Sequence, residues 1–411
     1  MLSITGEKGG ARNVCFLFAL FLIASIPTSK AGMNVLSVFS LIAVMSFPFV
    51  LKCQKDKHVA ILFLIVYATF SIFALAFHGD IDDFFIFLQK NSFLLVIPAL
   101  SVCCKNDEFL DRALYVFVFF CLVASIKSIF DALLLESGSA VRVTGFLDYS
   151  RHLNALLLGF CISIVCYFKI KKNRAFFASA IFLILISVFI SGTRGAWIAF
   201  TASFLFFILK YEKRMVMRSM LFLSVVVLLL AIFKTDSLLY ALDRAVSIFN
   251  LDTDISNMQR LSMWAGGLNY LKYCIEFSPV KFFLGSGMYS SSYEYYSYLD
   301  SLPAAISEQY KFGGDYLGGT DFHSAVLDLV IKSGFVYGVS LILSIVSVLY
   351  FSLKGAMRES NISAIVATYL VGVLFMSPFY SLYQDYSSFT IAFSVALFFS
   401  QYMRLDFKDE S

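Results

Sequence analysis

His323 is one of four histidines in a chain of 411 residues. It stands where the polar stretch "GGTDFH" gives way to the apolar "SAVLDLVIKSGFVYG". An imidazole with an unperturbed pKa near 6.5 suits general-base work at neutral pH. A polar residue at the start of a helix can also do no more than cap it. Asp328 lies five positions on, well round a helix from His323, so spacing alone makes no His–Asp pair.

Cations are the second ingredient. Arg194 sits in "ISGTRGAW" between Gly192 and Gly195. Such an arginine snorkels to a membrane interface or meets an anion, and the glycines leave room for a ligand or for close packing. Arg260 opens "RLSMWAGGLNYL", which reads as a helix with Leu261, Trp264, Leu268 and Leu271 on its apolar face. Arg142 and Arg151 belong to "AVRVTGFLDYSRHLNALLL", where Arg142 is the better ligand candidate and Arg151 with His152 reads as helix-start polarity. Lys90 is buried in the apolar run "FFIFLQKNSFLLV", and a charge within such a run faces a cavity or a partner. Arginine makes forked contacts to phosphate oxygens and stays charged at any working pH. The carboxylates Asp80, Asp82 and Asp83 read as a solvated negative loop, and no His/Cys metal spacing or cofactor motif is present. The arrangement suits a diphosphate held by cations without a metal.

These groups must be positioned by membrane helices. The chain is 59% hydrophobic and only 15% charged, against about a quarter charged for a soluble domain. Runs such as "VAILFLIVYATFSIFALAF" match the ~20 residues needed to cross the bilayer core. About twelve spans are predicted, near 13–29, 33–51, 58–77, 83–103, 109–130, 152–170, 175–191, 194–211, 217–233, 323–353, 361–378 and 386–403. The tenth is too long for one simple crossing. The eight cysteines show no disulfide framework, and no cleavable leader is evident.

Charge orients the spans. "KCQKDKH", "KIKKNR", "KYEKRMVMR" and "LKGAMRES" are rich in Lys and Arg, whereas "HGDIDD", "LLLESGSAVRVTG" and "SPFYSLYQDY" are poor in them. The positive-inside rule then puts both termini in the cytoplasm and the candidate cations at the opposite face. The domains follow: residues 1–233 form spans one to nine, 234–322 a large outer loop, and 323–411 the last three spans. The loop is rich in Tyr, Ser and Gly, as in "MYSSSYEYYSYLDSL", and reads as a lid over the site rather than a merely solvated connection.

Three segments together resemble the O-antigen ligase and polymerase superfamily of bacterial envelope glycosyltransferases. "SGTRGAWIAF" is similar to its Arg-containing motif at a span start. "RLSMWAGGLNYLKYCIEFSPVKFFLGSG" is similar to its loop element, with Arg260, Trp264, Pro279, Gly285 and Gly287 in order. Ten residues separate His323 from Gly334, which resembles the ligases' His-x10-Gly signature. One departure is that Trp264 stands where ligases carry the Leu of Arg-x3-Leu, which leans toward the wider superfamily.

The resemblance implies an all-α polytopic membrane protein of about twelve transmembrane helices with one large periplasmic loop, a GT-C-like layout. It implies transfer of O-antigen polysaccharide from undecaprenyl diphosphate to a sugar hydroxyl of lipid A–core, with inversion and without metal or cofactor. Arg194 and Arg260 would hold the donor diphosphate, with Arg142 and Lys90 as looser matches, and His323 would be the base. The expected setting is the bacterial inner membrane with a periplasmic site; the partners are donor, acceptor and bilayer, with no nucleic acid. The alternatives are a polymerase with the same donor and, from another class, a lipid-linked oligosaccharide flippase. A flippase needs charges lining a through-path, whereas these candidates gather at one face.

Overall fold

The computed structural model describes residues 8–51, 53–77, 80–134, 145–171, 173–213, 254–319, 321–354, 360–381 and 387–405. Arg142 and the predicted span 217–233 lie outside the described residues. The helices run α1 Lys8–Ser25, α2 Lys30–Val50, α3 Gln54–Phe77, α4 Ile81–Asn91, α5 Phe93–Cys104, α6 Asp107–Leu134, α7 Tyr149–Val165, α8 Arg174–Ile190 and α9 Arg194–Tyr211. After these come α10 Ile255–Phe277, α11 Pro279–Leu284, α12 Ser290–Ser301, a two-residue antiparallel hairpin, α13 Ala325–Leu353, α14 Asn361–Met376 and α15 Ser388–Leu405. Among the described residues six helical stretches are long and apolar enough to cross a membrane, including Asp56–Phe77, Ile81–Cys104 and Ala325–Leu353.

Helix α7 is apolar on every side and is accordingly central: all its residues from Ser150 to Val165 are buried. Around it, α14 packs on α9, α15 on α5, and α8 on both α6 and α7. Large apolar side chains also face outward, with Val35, Leu62 and Ile65 each 57% exposed. Such surfaces suit lipid rather than water. Between helices in lipid the hydrophobic effect adds little, and fit and polar contacts must hold the bundle. Asn154 on α7 supplies one such contact, donating to the Ser387 carbonyl (2.9 Å) and accepting from the Tyr369 hydroxyl (2.8 Å). Arg151 is more than helix-start polarity. It is 1% exposed and ties α7 to the end of α1 through the Ser25 and Ile26 carbonyls.

Two predicted spans are interrupted. The run 83–103 forms two helices, α4 and α5, which meet at Ser92. The long tenth span is broken at Gly334 (φ 88°, ψ 159°), a conformation essentially confined to glycine. The break frees carbonyls, and the segment after α11 takes them: Ser286 N–H donates to Ile331 O (2.9 Å) and Gly287 N–H to Lys332 O (3.1 Å). The fit is tight enough that a Cβ on Gly334 would lie 2.4 Å from the Leu284 carbonyl carbon.

Residues 254–322 form a unit with its own core of Tyr270, Cys274, Tyr295, Leu299, Tyr310 and Phe322, closed by Leu327 and Ile331 of α13. Of the apolar face expected for α10, Trp264 and Leu271 pack against this core but the other two residues do not. Leu261 and Leu268 are 44% and 58% exposed, while Met263, Gly266, Gly267, Tyr270 and Cys274 are buried. The reason is ring packing. A Cβ on Gly266 would lie 2.2 Å from the Tyr295 hydroxyl and one on Gly267 3.0 Å from Phe322, so a larger residue at either position would push these rings aside. Asp83 is not solvated either. It is fully buried, and its carboxylate accepts from Tyr289 N–H and from the Ser290 N–H and hydroxyl at the start of α12. An anion at a helix N-terminus is favourable, so Asp83 fastens the loop unit to the bundle.

Candidate functional site

The helix that was expected to begin with His323 begins at Ala325, with Ser324 as its cap. Ser324 Oγ accepts from Leu327 N–H at 3.4 Å. His323 lies ahead of the cap in the left-handed region, φ 48°, which histidine tolerates better than most residues. Asp321 sets this turn, since its Oδ1 accepts the His323 N–H at 2.7 Å. The other oxygen of the same carboxylate is 3.3 Å from His323 Nδ1, and the ring is 29% exposed. At that distance the carboxylate lies beside the ring as a charge partner, placed to favour the imidazolium form.

Asp321 is itself perturbed. Burial first and the Asp328 carboxylate second push its pKa up to about 7, against the pull of the His323 N–H and of Lys332. Asp328 is fully buried, accepts the Phe322 N–H at 3.2 Å and pairs with Lys332 Nζ at 3.1 Å. The histidine therefore ends a line of four ionisable groups: Lys332, Asp328, Asp321, His323. Asp328 contributes through Phe322 and Asp321 rather than by meeting the imidazole. The sequence reading did not single out Asp321; the Asp-x-His spacing, which allows an Asx turn, was its one signal.

The turn after α14 draws the motifs together. Ala325 N–H donates to the Ser377 carbonyl at 2.8 Å, which seats the start of α13 there. Two residues on, Phe379 receives Gly195, where a Cβ would lie 2.8 Å from the Phe379 side chain. The Arg260 guanidinium lies over the Phe379 ring, 5.5 Å from its centroid, within cation–π range. The histidine segment, the Arg194 segment and Arg260 thus share one seat, residues 377–379. The Lys/Arg-poor loop "SPFYSLYQDY" offered no sign of this role.

The two arginines differ. Arg194 opens α9, is 6% exposed and pairs with Asp254 at 2.9 Å. Asp254 also caps α10, accepting from Asn257 N–H at 3.0 Å. Arg194 thus positions the helix that carries Arg260. Arg260 is half-buried, one and a half turns into α10 rather than at its start. Lys90 is half-buried at the end of α4. Its neighbour Asn91 is buried and accepts from the Tyr337 hydroxyl of α13, just beyond the Gly334 break. It is thus Asn91, next to Lys90, that ties the end of α4 to the broken helix. Among the described residues no three His, Cys, Asp or Glu side chains are grouped to hold a metal ion.

The fold and this site define a polytopic helical membrane protein whose ionisable groups collect where a loop unit docks on a broken helix. Residues 178–342 match the family model described as O-Antigen ligase, and over that segment the chain is similar to that family. The match includes Arg194, Arg260, Asp321, His323 and Gly334 but neither Lys90 nor Phe379. The family takes in ligases and polymerase-like glycosyltransferases. No curated protein matches the chain significantly.

Proposed function

We propose that the protein is an O-antigen ligase of the bacterial inner membrane, working at the periplasmic face. It moves polysaccharide from undecaprenyl diphosphate to a sugar hydroxyl of lipid A–core. The observation that carries this reading is the convergence of His323, the Arg194 segment and Arg260 on the turn at 377–379. In the reaction His323 Nε2 takes the proton of the acceptor hydroxyl. The acceptor oxygen attacks the anomeric carbon, and the glycosyl–phosphate C–O bond breaks with its electron pair leaving on the diphosphate. Attack opposite the leaving group inverts the anomeric carbon. Asp321 stabilises the imidazolium as it forms. Arg260, with Lys90 and Arg142, carries the charge that grows on the diphosphate, where fixed cations contribute most. Arg194 holds Asp254 and α10 in register and adds its own charge to the same face. Residues 234–322 act as the lid, and both termini lie in the cytoplasm.

The test is complementation of a strain lacking this gene, read on a lipopolysaccharide gel. Wild-type protein restores long glycan on the core, and His323→Ala inserts normally but reduces attachment by about 10²-fold or more. Long glycan left on undecaprenyl diphosphate marks a missing ligase. Core bearing a single repeat unit marks a missing polymerase instead. Full attachment by His323→Ala would remove the base from the scheme.

A further inference from the structure

A cavity lined by residues 270–301 of the loop unit and by Asp80 lies apart from the turn at 377–379. Its volume is about 1040 Å³, at the upper end of ordinary ligand pockets, so it has room for several linked sugars. Six tyrosines line it, Tyr270, Tyr273, Tyr289, Tyr293, Tyr296 and Tyr298, together with five serines. Tyr289, Tyr293 and Tyr296 recur at helical spacing on one side of α12, while Ser291, Tyr295 and Leu299 form its buried stripe. Tyr289 and Tyr293 are 68% and 77% exposed, so neither supports the core.

The wall holds one cation, Lys281, against the two carboxylates Asp80 and Glu294. Lys281 pairs with Glu294 at 2.8 Å, and Glu294 also accepts from the Tyr270 hydroxyl at 3.1 Å. Burial lifts the Tyr296 and Tyr298 hydroxyls above their usual titration range, so they remain neutral donors and acceptors. A wall of ring faces and hydroxyls without a surplus of cations suits a ligand with alternating C–H faces and hydroxyls. It does not suit a phosphate. Tyr296 further donates to the Gly318 carbonyl at 3.1 Å, and Tyr295 packs edge-on against Phe322, so the wall is joined to the segment that carries Asp321 and His323.

We propose that this tyrosine-lined cavity is a glycan cleft that grips a stretch of the polysaccharide several sugars away from the one that reacts. The proposal rests on the reading of the protein as a glycosyltransferase of long glycans. A grip there adds binding energy common to ground and transition states, so it favours long donors over short ones without altering the chemical step.

The experiment uses the full-length protein in detergent micelles and, as probe, the polysaccharide released from the host's lipopolysaccharide by mild acid, free of lipid and diphosphate. Titration calorimetry should show that wild-type protein binds it. Tyr289→Ser/Tyr293→Ser should bind about tenfold more weakly with an unchanged melting temperature. Tyr289→Phe/Tyr293→Phe, which keeps the ring faces, should retain most of the binding. Inorganic pyrophosphate should leave wild-type binding unchanged. In transfer assays the Ser variant should lose rate with long-chain donor and keep it with single-repeat donor. Equal binding by wild type and the Ser variant, or full competition by pyrophosphate, would overturn the proposal. His323→Ala should bind the released glycan normally. Retained attachment by His323→Ala therefore refutes the catalytic scheme and leaves the cleft standing.

Discussion

The helical bundle and the loop unit are built from different residues because they answer to different solvents. The bundle centre is aliphatic and phenylalanine-rich, with α7 buried on every side. The loop unit packs around tyrosines, with Tyr270, Tyr295 and Tyr310 in its core. A tyrosine buries a ring and still offers a hydroxyl, which suits a small unit with polar surroundings. Neither part alone contains the candidate site. His323 and Asp321 come from the end of the loop unit, Arg194 and Phe379 from the bundle, and Arg260 from the first loop helix. The groups that matter lie on the seam, and the seam is held by the Gly285–Gly334 approach, the Asp83 cap and the Arg194–Asp254 pair.

The largest effect is expected from breaking that seam. Gly334→Val adds a Cβ 2.4 Å from the Leu284 carbonyl carbon at a residue with φ 88°. It should undock the loop unit and abolish glycan attachment. Limited proteolysis should then cut within 254–322 while the bundle resists as before; an intact, active variant would show that the two parts do not depend on this contact.

The arginines provide a sharper contrast. Removing one partner of a buried pair costs about 3–5 kcal/mol, so Arg194→Ala should lower the thermal unfolding temperature and loosen α10. Arg260→Ala gives up a cation–π contact of about 1 kcal/mol and should instead raise KM for the donor with little change in melting. Equal melting of the two variants would argue against the division between positioning and binding.

Asp321→Asn tests the smallest effect. The folded-state pKa of Asp321, about 7, lies above the 3.8 of an unperturbed aspartate. Its contribution to stability is therefore fullest at acid pH and is lost as pH rises toward 7. The variant should flatten the stability profile between about pH 4 and 7. Above pH 7 its kcat should fall by about tenfold or more, because His323 loses the carboxylate that stabilises its charged form. A kcat unchanged across that range would reduce Asp321 to a turn former.

Much of the helical layout was legible. The expected spans 58–77 and 109–130 correspond to Asp56–Phe77 and Asp107–Leu134, since a long apolar window is a local property. The apolar face read for α10 misled at Leu261 and Leu268 because Gly266 and Gly267 draw in rings from distant segments. The acidic loop misled because the partner of Asp83 is some 200 positions away, at Ser290.

The sequence by itself determined that this chain belongs in a membrane, which residues carry ionisable chemistry, and the family model that 178–342 matches. Composition, run length and motif order are enough for those conclusions. Only the tertiary structure decided that His323 precedes its helix, that Asp321 faces its ring, that Arg194 is paired, and that Ser377 and Phe379 seat the motifs. Each of these depends on a contact between residues that spacing along the chain does not bring together, or on a backbone turn that periodicity does not encode.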